Sequence, residues 1–95
     1  MVTELTHWID GKHVKGTSGR FADVMNPATG EVQAKAPLAT AEEIDAAVQS
    51  AKAAQPAWAA VNPQRRARVL MKFVELLHRD MDKLAEALSR EHGKT

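Results

Sequence analysis

From Val69 onward, large apolar side chains recur every three or four residues: Val69, Leu70, Phe73, Leu76, Leu77, Met81, Leu84 and Leu88. That repeat places them on one stripe of an α-helix. Asn62 and Pro63 in front supply an N-cap and a proline at the first helical position, where its missing N–H is not needed. Behind, His92-Gly93-Lys94 offers a glycine for a left-handed C-cap and basic residues for the carbonyl end of the macrodipole. The spacing predicts one helix over about 64–91. A shorter helix over about 41–55 is announced by Thr40 with Glu43 three residues on, a capping box. It carries Ile44, Val48 and Ala51 at helical spacing and is otherwise alanine-rich, so its propensity is high and its buried face shallow. Pro56 is expected to end or kink it, and Trp58 just beyond reads as a packing anchor rather than a stacking platform for a ligand. A stripe of about seven turns is too wide for this alanine face to cover. Material outside these residues is expected to cover the remainder.

Ahead of the helices the pattern is β. Asp10-Gly11 accepts the positive φ angles of a tight hairpin turn, between strands expected at about 5–9 and 12–15. Gly16-Thr17-Ser18-Gly19 is polar punctuation. A second pair of strands, about 20–25 and 31–36, is joined by Asn26-Pro27-Ala28-Thr29-Gly30, where proline fixes one turn position and glycine can take a left-handed one. The chain therefore reads as two β-hairpins (about 5–15 and 20–36) followed by two helices, an α+β arrangement. Leu5, Trp8, Ile9, Val14, Phe21, Val24 and Val32 give the sheet little core of its own. Ninety-five residues are marginal for one core, and with no cysteine there is no disulfide to reinforce it.

Several functions find no support. Thirteen basic and twelve acidic residues leave a formal charge of +1, which makes no electrostatic case for nucleic acid or an acidic membrane. No apolar run approaches a membrane span, and Met1 to Gly11 lacks the basic and apolar regions of a signal peptide; a soluble, cytoplasmic chain is expected. The absence of cysteine excludes a thiolate nucleophile within the chain. His7, His13, His78 and His92 fall in no metal-binding spacing and read as surface or capping residues. Glu42 with Glu43, and Asp80 with Asp82, read as caps and solvated faces rather than an acid and base pair. Arg65, Arg66 and Arg68 crowd the first turn of a helix, where the macrodipole is also positive. They invite an anion, a phosphate-rich ligand or a partner's carboxylate, unless they are solvated or paired internally. Gly93-Lys94-Thr95 looks like the end of a P-loop, yet five residues before Gly93 stands Leu88 where a glycine turn is required. The helix stop is the better reading. No catalytic, cofactor-binding or metal-binding residue is assigned.

The order WIDGKHV, FADVMNPATGEV, AEEIDAAVQSAKAAQPAWA and PQRRARVLMKFVELLHRDMDKLAEALSREHGKT resembles the amino-terminal region of the aldehyde dehydrogenase superfamily from about residue 7 onward. Within it, the phrases are most similar to the CoA-acylating methylmalonate-semialdehyde branch. The resemblance implies an α/β parent several times longer, with residues 1–95 as the amino-terminal part of its NAD-binding domain. It further implies that the parent uses NAD and CoA on a small aldehyde and assembles as a homodimer or homotetramer. In such enzymes a cysteine thiolate attacks the aldehyde, hydride passes to NAD, and CoA rather than water releases the acyl group. None of those positions has a counterpart here, so the segment is expected to be structural, to bind neither cofactor and to be inactive alone. Asn26, Pro27, Gly30, Gly93 and Lys94 match family motif positions, with turn and cap geometry as their implied role. Two other readings stay open: a standalone interaction module burying the 64–91 stripe against a partner, and a non-acylating semialdehyde or betaine-aldehyde dehydrogenase.

Overall fold

The structure, a computed structural model, describes residues 1–94. Five short strands precede three helices: β1 (Thr3–Glu4), β2 (His7–Ile9), β3 (Lys12–Val14), β4 (Phe21–Met25), β5 (Val32–Pro37), α1 (Ala41–Ala60), α2 (Pro63–Arg79) and α3 (Met81–His92). Both expected hairpins are present. β2 and β3 pair antiparallel, Trp8 opposite His13, around Asp10 at φ 54° and Gly11 at φ 72°, the left-handed pair such a two-residue turn needs. β4 and β5 pair antiparallel, with a bulge between Val24 and Met25.

The first expected strand, about 5–9, is corrected to 7–9, because the residues before it join the other sheet. β1 runs parallel to β5, Thr3 opposite Ala34, and the Leu5 N–H donates to the Lys35 carbonyl at 2.9 Å. The result is a three-stranded sheet in the order β1-β5-β4 beside the separate β2-β3 hairpin. A two-residue edge strand has no side-chain periodicity from which it could be read.

Both helix boundaries also differ from expectation. The first helix does not stop at 55 but runs through Pro56 to Ala60. Proline removes one backbone donor there, and the alanines on both sides favour helix strongly enough to carry the last turn. Val61 then leaves the helix in extended conformation, its N–H donating to the Trp58 carbonyl at 3.1 Å. The expected 64–91 helix is two helices broken at Asp80, whose backbone sits at φ −104°, ψ 19°. The Arg79 guanidinium holds the Asp80 carboxylate with two hydrogen bonds, at 3.1 and 2.8 Å. Aspartate is a poor interior helix residue because its side chain competes for local donors. The i→i+4 bonds still reach across, Asp80 N–H to Leu76 and Leu84 N–H to the Asp80 carbonyl, both 3.0 Å, so the apolar stripe continues past the break.

Almost nothing is enclosed. Ala34 on the middle strand, 9% exposed, is the only buried apolar residue among those described, and none of the three helices contains a buried one. The Cα radius of gyration is 17.0 Å, against about 12 Å for a compact 95-residue domain.

Candidate functional site

Two kinds of surface are candidates for function: the broad apolar face of the helices, and the junctions where the short β elements meet helix ends. On α2 the apolar face is unusually wide. At 100° per residue, Leu76, Val69, Phe73, Leu77, Leu70 and Val74 span about 160° of the helix circumference, with Met71 further round beyond His78, whereas a helix covered from one side needs little more than 100°. Gln64, Arg65, Arg68, Lys72, Glu75 and Arg79 occupy the remaining strip. Phe73 is 55% exposed, and Leu70, Met81, Leu84 and Leu88 are exposed to a similar degree. Trp58, expected to anchor packing, is likewise 44% exposed.

That projection also decides what the arginine cluster does. Arg65 and Arg68 lie on the polar strip, while Arg66 turns inward and donates from Nε to the Val61 carbonyl at 3.1 Å. Arg66 therefore satisfies a carbonyl at the end of α1, where helix carbonyls lack partners. No converging anion site results. Asn62 caps α2 as expected, accepting from the Gln64 N–H at 2.8 Å.

The family-motif residues come together in space. Asn26 folds the β4–β5 turn by accepting from the Ala28 N–H at 2.9 Å through its side chain and from the Gly30 N–H at 2.7 Å through its carbonyl. Gly30 takes φ 76°. Gly93 ends α3 at φ 79°, and a Cβ there would stand 3.2 Å from Pro27 Cγ. The turn and the helix stop are thus packed against each other, and Gly93 serves both the left-handed cap and the close approach. Gln33 ties the same corner, donating from Nε2 to the Arg90 carbonyl at 2.8 Å and to the Met25 carbonyl at 3.3 Å. Gly93 and Lys94 lie at the carbonyl end of a helix, the wrong polarity for phosphate. Thr95, third letter of the P-loop-like phrase, lies outside the described residues.

A second junction centres on Glu43. As the capping box predicts, Thr40 Oγ1 accepts from the Glu43 N–H and Glu43 Oε1 accepts from the Thr40 N–H, each at 3.0 Å. Oε1 also accepts from the Thr17 N–H at 3.4 Å. Glu43 Oε2 faces His7 Nε2 at 3.2 Å, within ion-pair distance but out of line for a hydrogen bond, so both atoms are occluded and unpartnered. The Thr40 N–H, foremost, holds the Glu43 carboxyl below its ordinary value of 4.5, with help from Thr17 and His7 and against partial desolvation. Gly16 makes this corner possible, since a Cβ on it would lie 2.8 Å from Pro37 Cβ and 3.3 Å from His7 Nε2. Sequence reasoning found the Thr40–Glu43 half and missed the rest. The capping box is local in sequence, whereas His7 and Gly16 reach it only through the fold.

Beside this junction a groove of about 300 Å³ runs between the hairpin and α1, lined by Trp8 and Ile9 on one wall and Ile44, Ala47 and Val48 on the other. His13 is engaged by the Thr6 hydroxyl at 2.8 Å and packs edge-on against Trp8 at 4.7 Å. Among the described residues, no group of three or more histidine, aspartate or glutamate side chains is placed to hold a metal, and no helix is long and apolar enough to cross a membrane.

Comparison with known proteins supplies what the geometry cannot. Residues 13–95 match the sequence profile of the aldehyde dehydrogenase family. The acylating, mitochondrial methylmalonate-semialdehyde dehydrogenase of Arabidopsis thaliana is 46% identical over 95 residues, which is 100% of this chain and 16% of that protein. Malonate-semialdehyde dehydrogenase 3 of Geobacillus kaustophilus is 48% identical over 90 residues, 95% of this chain and 19% of that one. Among solved structures, a candidate methylmalonate-semialdehyde dehydrogenase from Sinorhizobium meliloti 1021, complexed with NAD, superposes with a TM-score of 0.93 at 65% identity, covering 97% of this chain and 19% of that one. The chain thus spans less than a fifth of the length of these relatives. With its strands and helices in the order found in that structure and the family profile matched over most of its length, the chain belongs to the aldehyde dehydrogenase family.

Proposed function

We propose that residues 1–95 are the amino-terminal part of the NAD-binding domain of a longer, NAD-dependent, CoA-acylating methylmalonate-semialdehyde dehydrogenase, and that their role within it is structural. The observation that carries this reading is the near-complete superposition, at 65% identity, on a relative bound to NAD. Acylating and malonate-semialdehyde enzymes among the relatives support the substrate class. The exposed apolar helix face supports the structural role, because it suits burial against a larger body of the same polypeptide.

We take this segment not to bind NAD itself. Gly93 and Lys94 lie at a helix carbonyl end, and the chain carries no cysteine to attack an aldehyde. Nucleotide, CoA and nucleophile belong to the remainder of the enzyme, which we take to be a cytoplasmic homodimer or homotetramer.

The test is turnover by the full-length polypeptide. It should reduce NAD with methylmalonate or malonate semialdehyde and form acyl-CoA only when CoA is supplied, while residues 1–95 alone should form no NADH. Release of the free acid at a rate indifferent to CoA would overturn the acylating assignment. Turnover by the 95-residue chain would overturn the structural one.

A further inference from the structure

We propose that His7 and Glu43 form a charge-operated clasp, which holds the β2–β3 hairpin against the start of α1 when the imidazole is protonated and loosens it when the ring is neutral. The geometry leaves the pair little alternative. Glu43 Oε1 is already committed to the Thr40 and Thr17 N–H groups, so Oε2 is the oxygen left for His7. It lies 3.2 Å from Nε2, between side chains only 18% and 13% exposed, and neither atom has another partner. A neutral ring either keeps its one proton on Nε2 and donates to Oε2 without the help of charge, or turns its lone pair there and sets two acceptors against each other out of reach of solvent, so in both forms the contact is weaker than with a protonated ring. A proton on Nε2 gives both atoms a partner after a small turn of the ring, and the resulting bond is charge-assisted. Gly16 stands beside the same ring nitrogen, near enough that a Cβ there would be 3.3 Å from Nε2. His7 therefore has limited room to swing aside unless the hairpin moves with it.

Charge at this corner rests on the pair. On the hairpin, Asp10, Lys12 and Lys15 make no ion pair with either group, and His13 is occupied by Thr6. On α1, Glu42 and Asp45 make none, and Arg20, from the following loop, donates instead to the Ala39 carbonyl at 3.3 Å. Among the described residues the His7–Glu43 contact is the one ion pair joining the hairpin to a helix. Histidine is the side chain whose charge ordinarily changes between pH 5 and 8, and the clasp is tested across that range. Because the pair stands at one end of the groove between Trp8, Ile9 and Ile44, Val48, its release widens that groove.

The test is amide hydrogen exchange read by mass spectrometry on the full-length polypeptide, corrected for the intrinsic pH dependence of exchange. Protection of residues 7–15 is expected to fall about fivefold, equivalent to roughly 1 kcal/mol, between about pH 5.5 and pH 8. Glu43→Gln keeps an acceptor for the capping box and removes the charge; it should abolish the pH dependence while leaving α2 protection unchanged. His7→Gln should do the same, and provides the test independently if Glu43→Gln fails to fold. Equal wild-type protection at both pH values, or an unchanged slope in either variant, would overturn the clasp.

Discussion

Cutting residues 1–95 away from the rest of a polypeptide should leave them unable to hold a cooperative fold, and the structure gives the size of the deficit. The accessible surface is 7884 Å², whereas a compact monomer of this mass exposes about 5,400 Å². The excess is about 2,500 Å², roughly three times what one partner buries in a standard protein–protein interface. If a little over half of it is apolar, as on protein surfaces generally, about 1,400 Å² of apolar area lies open that a closed domain would bury. At about 25 cal/mol per Å² that is a shortfall on the order of 35 kcal/mol, against a net stability of about 5–14 kcal/mol for a domain of this length. The comparison is between two folded surfaces, so uncertainty in the unfolded reference largely cancels. The isolated chain should therefore melt without a cooperative transition, bind a hydrophobic dye, and sediment as a mixture of associated species. Circular dichroism against temperature, dye fluorescence and sedimentation velocity on the purified 95-residue chain would read these out. A sharp melt from a dilute monomer with a radius of gyration near 12 Å, the compact value, would refute the reasoning, because the chain would then be closing its apolar face by itself.

Three further outcomes follow from the junctions, each measured by local hydrogen exchange in the full-length protein, since one unfolding free energy is poorly defined for a large, multidomain protein. Thr40→Ala removes the N-cap acceptor and should loosen the first turn of α1 by about 1 kcal/mol; unchanged protection there would refute the cap. Gly93→Ala meets both a left-handed φ of 79° and Pro27 at 3.2 Å, and should weaken the α3 terminus and the 26–30 turn together by about 1–2 kcal/mol. An effect confined to α3 would mean that the two motifs are not coupled. Acid should also loosen the start of α1: a carboxyl held below 4.5 in the folded state contributes stability that is full above that value and is lost as pH falls through the lower, folded one. Glu43→Gln should flatten that acid limb, and an identical acid profile in the variant would refute the assignment.

What could be read in advance was whatever is encoded within one turn or one helix. Asp10-Gly11, Asn26 to Gly30, the Thr40–Glu43 box, Asn62-Pro63 and Gly93 each satisfy backbone groups a few residues away, and each is found doing so. The misses have two kinds of cause, distant partners and competing local effects. β1 depends on β5, thirty residues later, and nothing in Thr3-Glu4 announces a strand. The break at Asp80 lies inside an unbroken apolar repeat, and continuing i→i+4 bonds hide it from periodicity. Pro56 lacks a backbone donor, yet the alanines around it set the outcome. Gly16 reads as loop punctuation, although its value is the space it leaves for Pro37 and His7.

The width of the α2 face carries the consequence furthest. An apolar arc of about 160°, with Met71 beyond it, is wider than the stripe of a helix covered from one side, so α2 is suited to enclosure from more than one direction. Its neighbours in this chain supply neither cover: α1 presents alanines and is itself exposed at Ile44 and Val48, and the sheet spends its interior on Ala34 alone. The internal polar contacts lie instead at corners, with Gln33 on Arg90, Arg66 on Val61, and Glu43 bonded to Thr17 and facing His7. Such corner bonds fix the relative positions of strands and helix ends while leaving the broad faces free. A segment built this way holds a shape for something else to pack on, which is the physical content of assigning it a structural role.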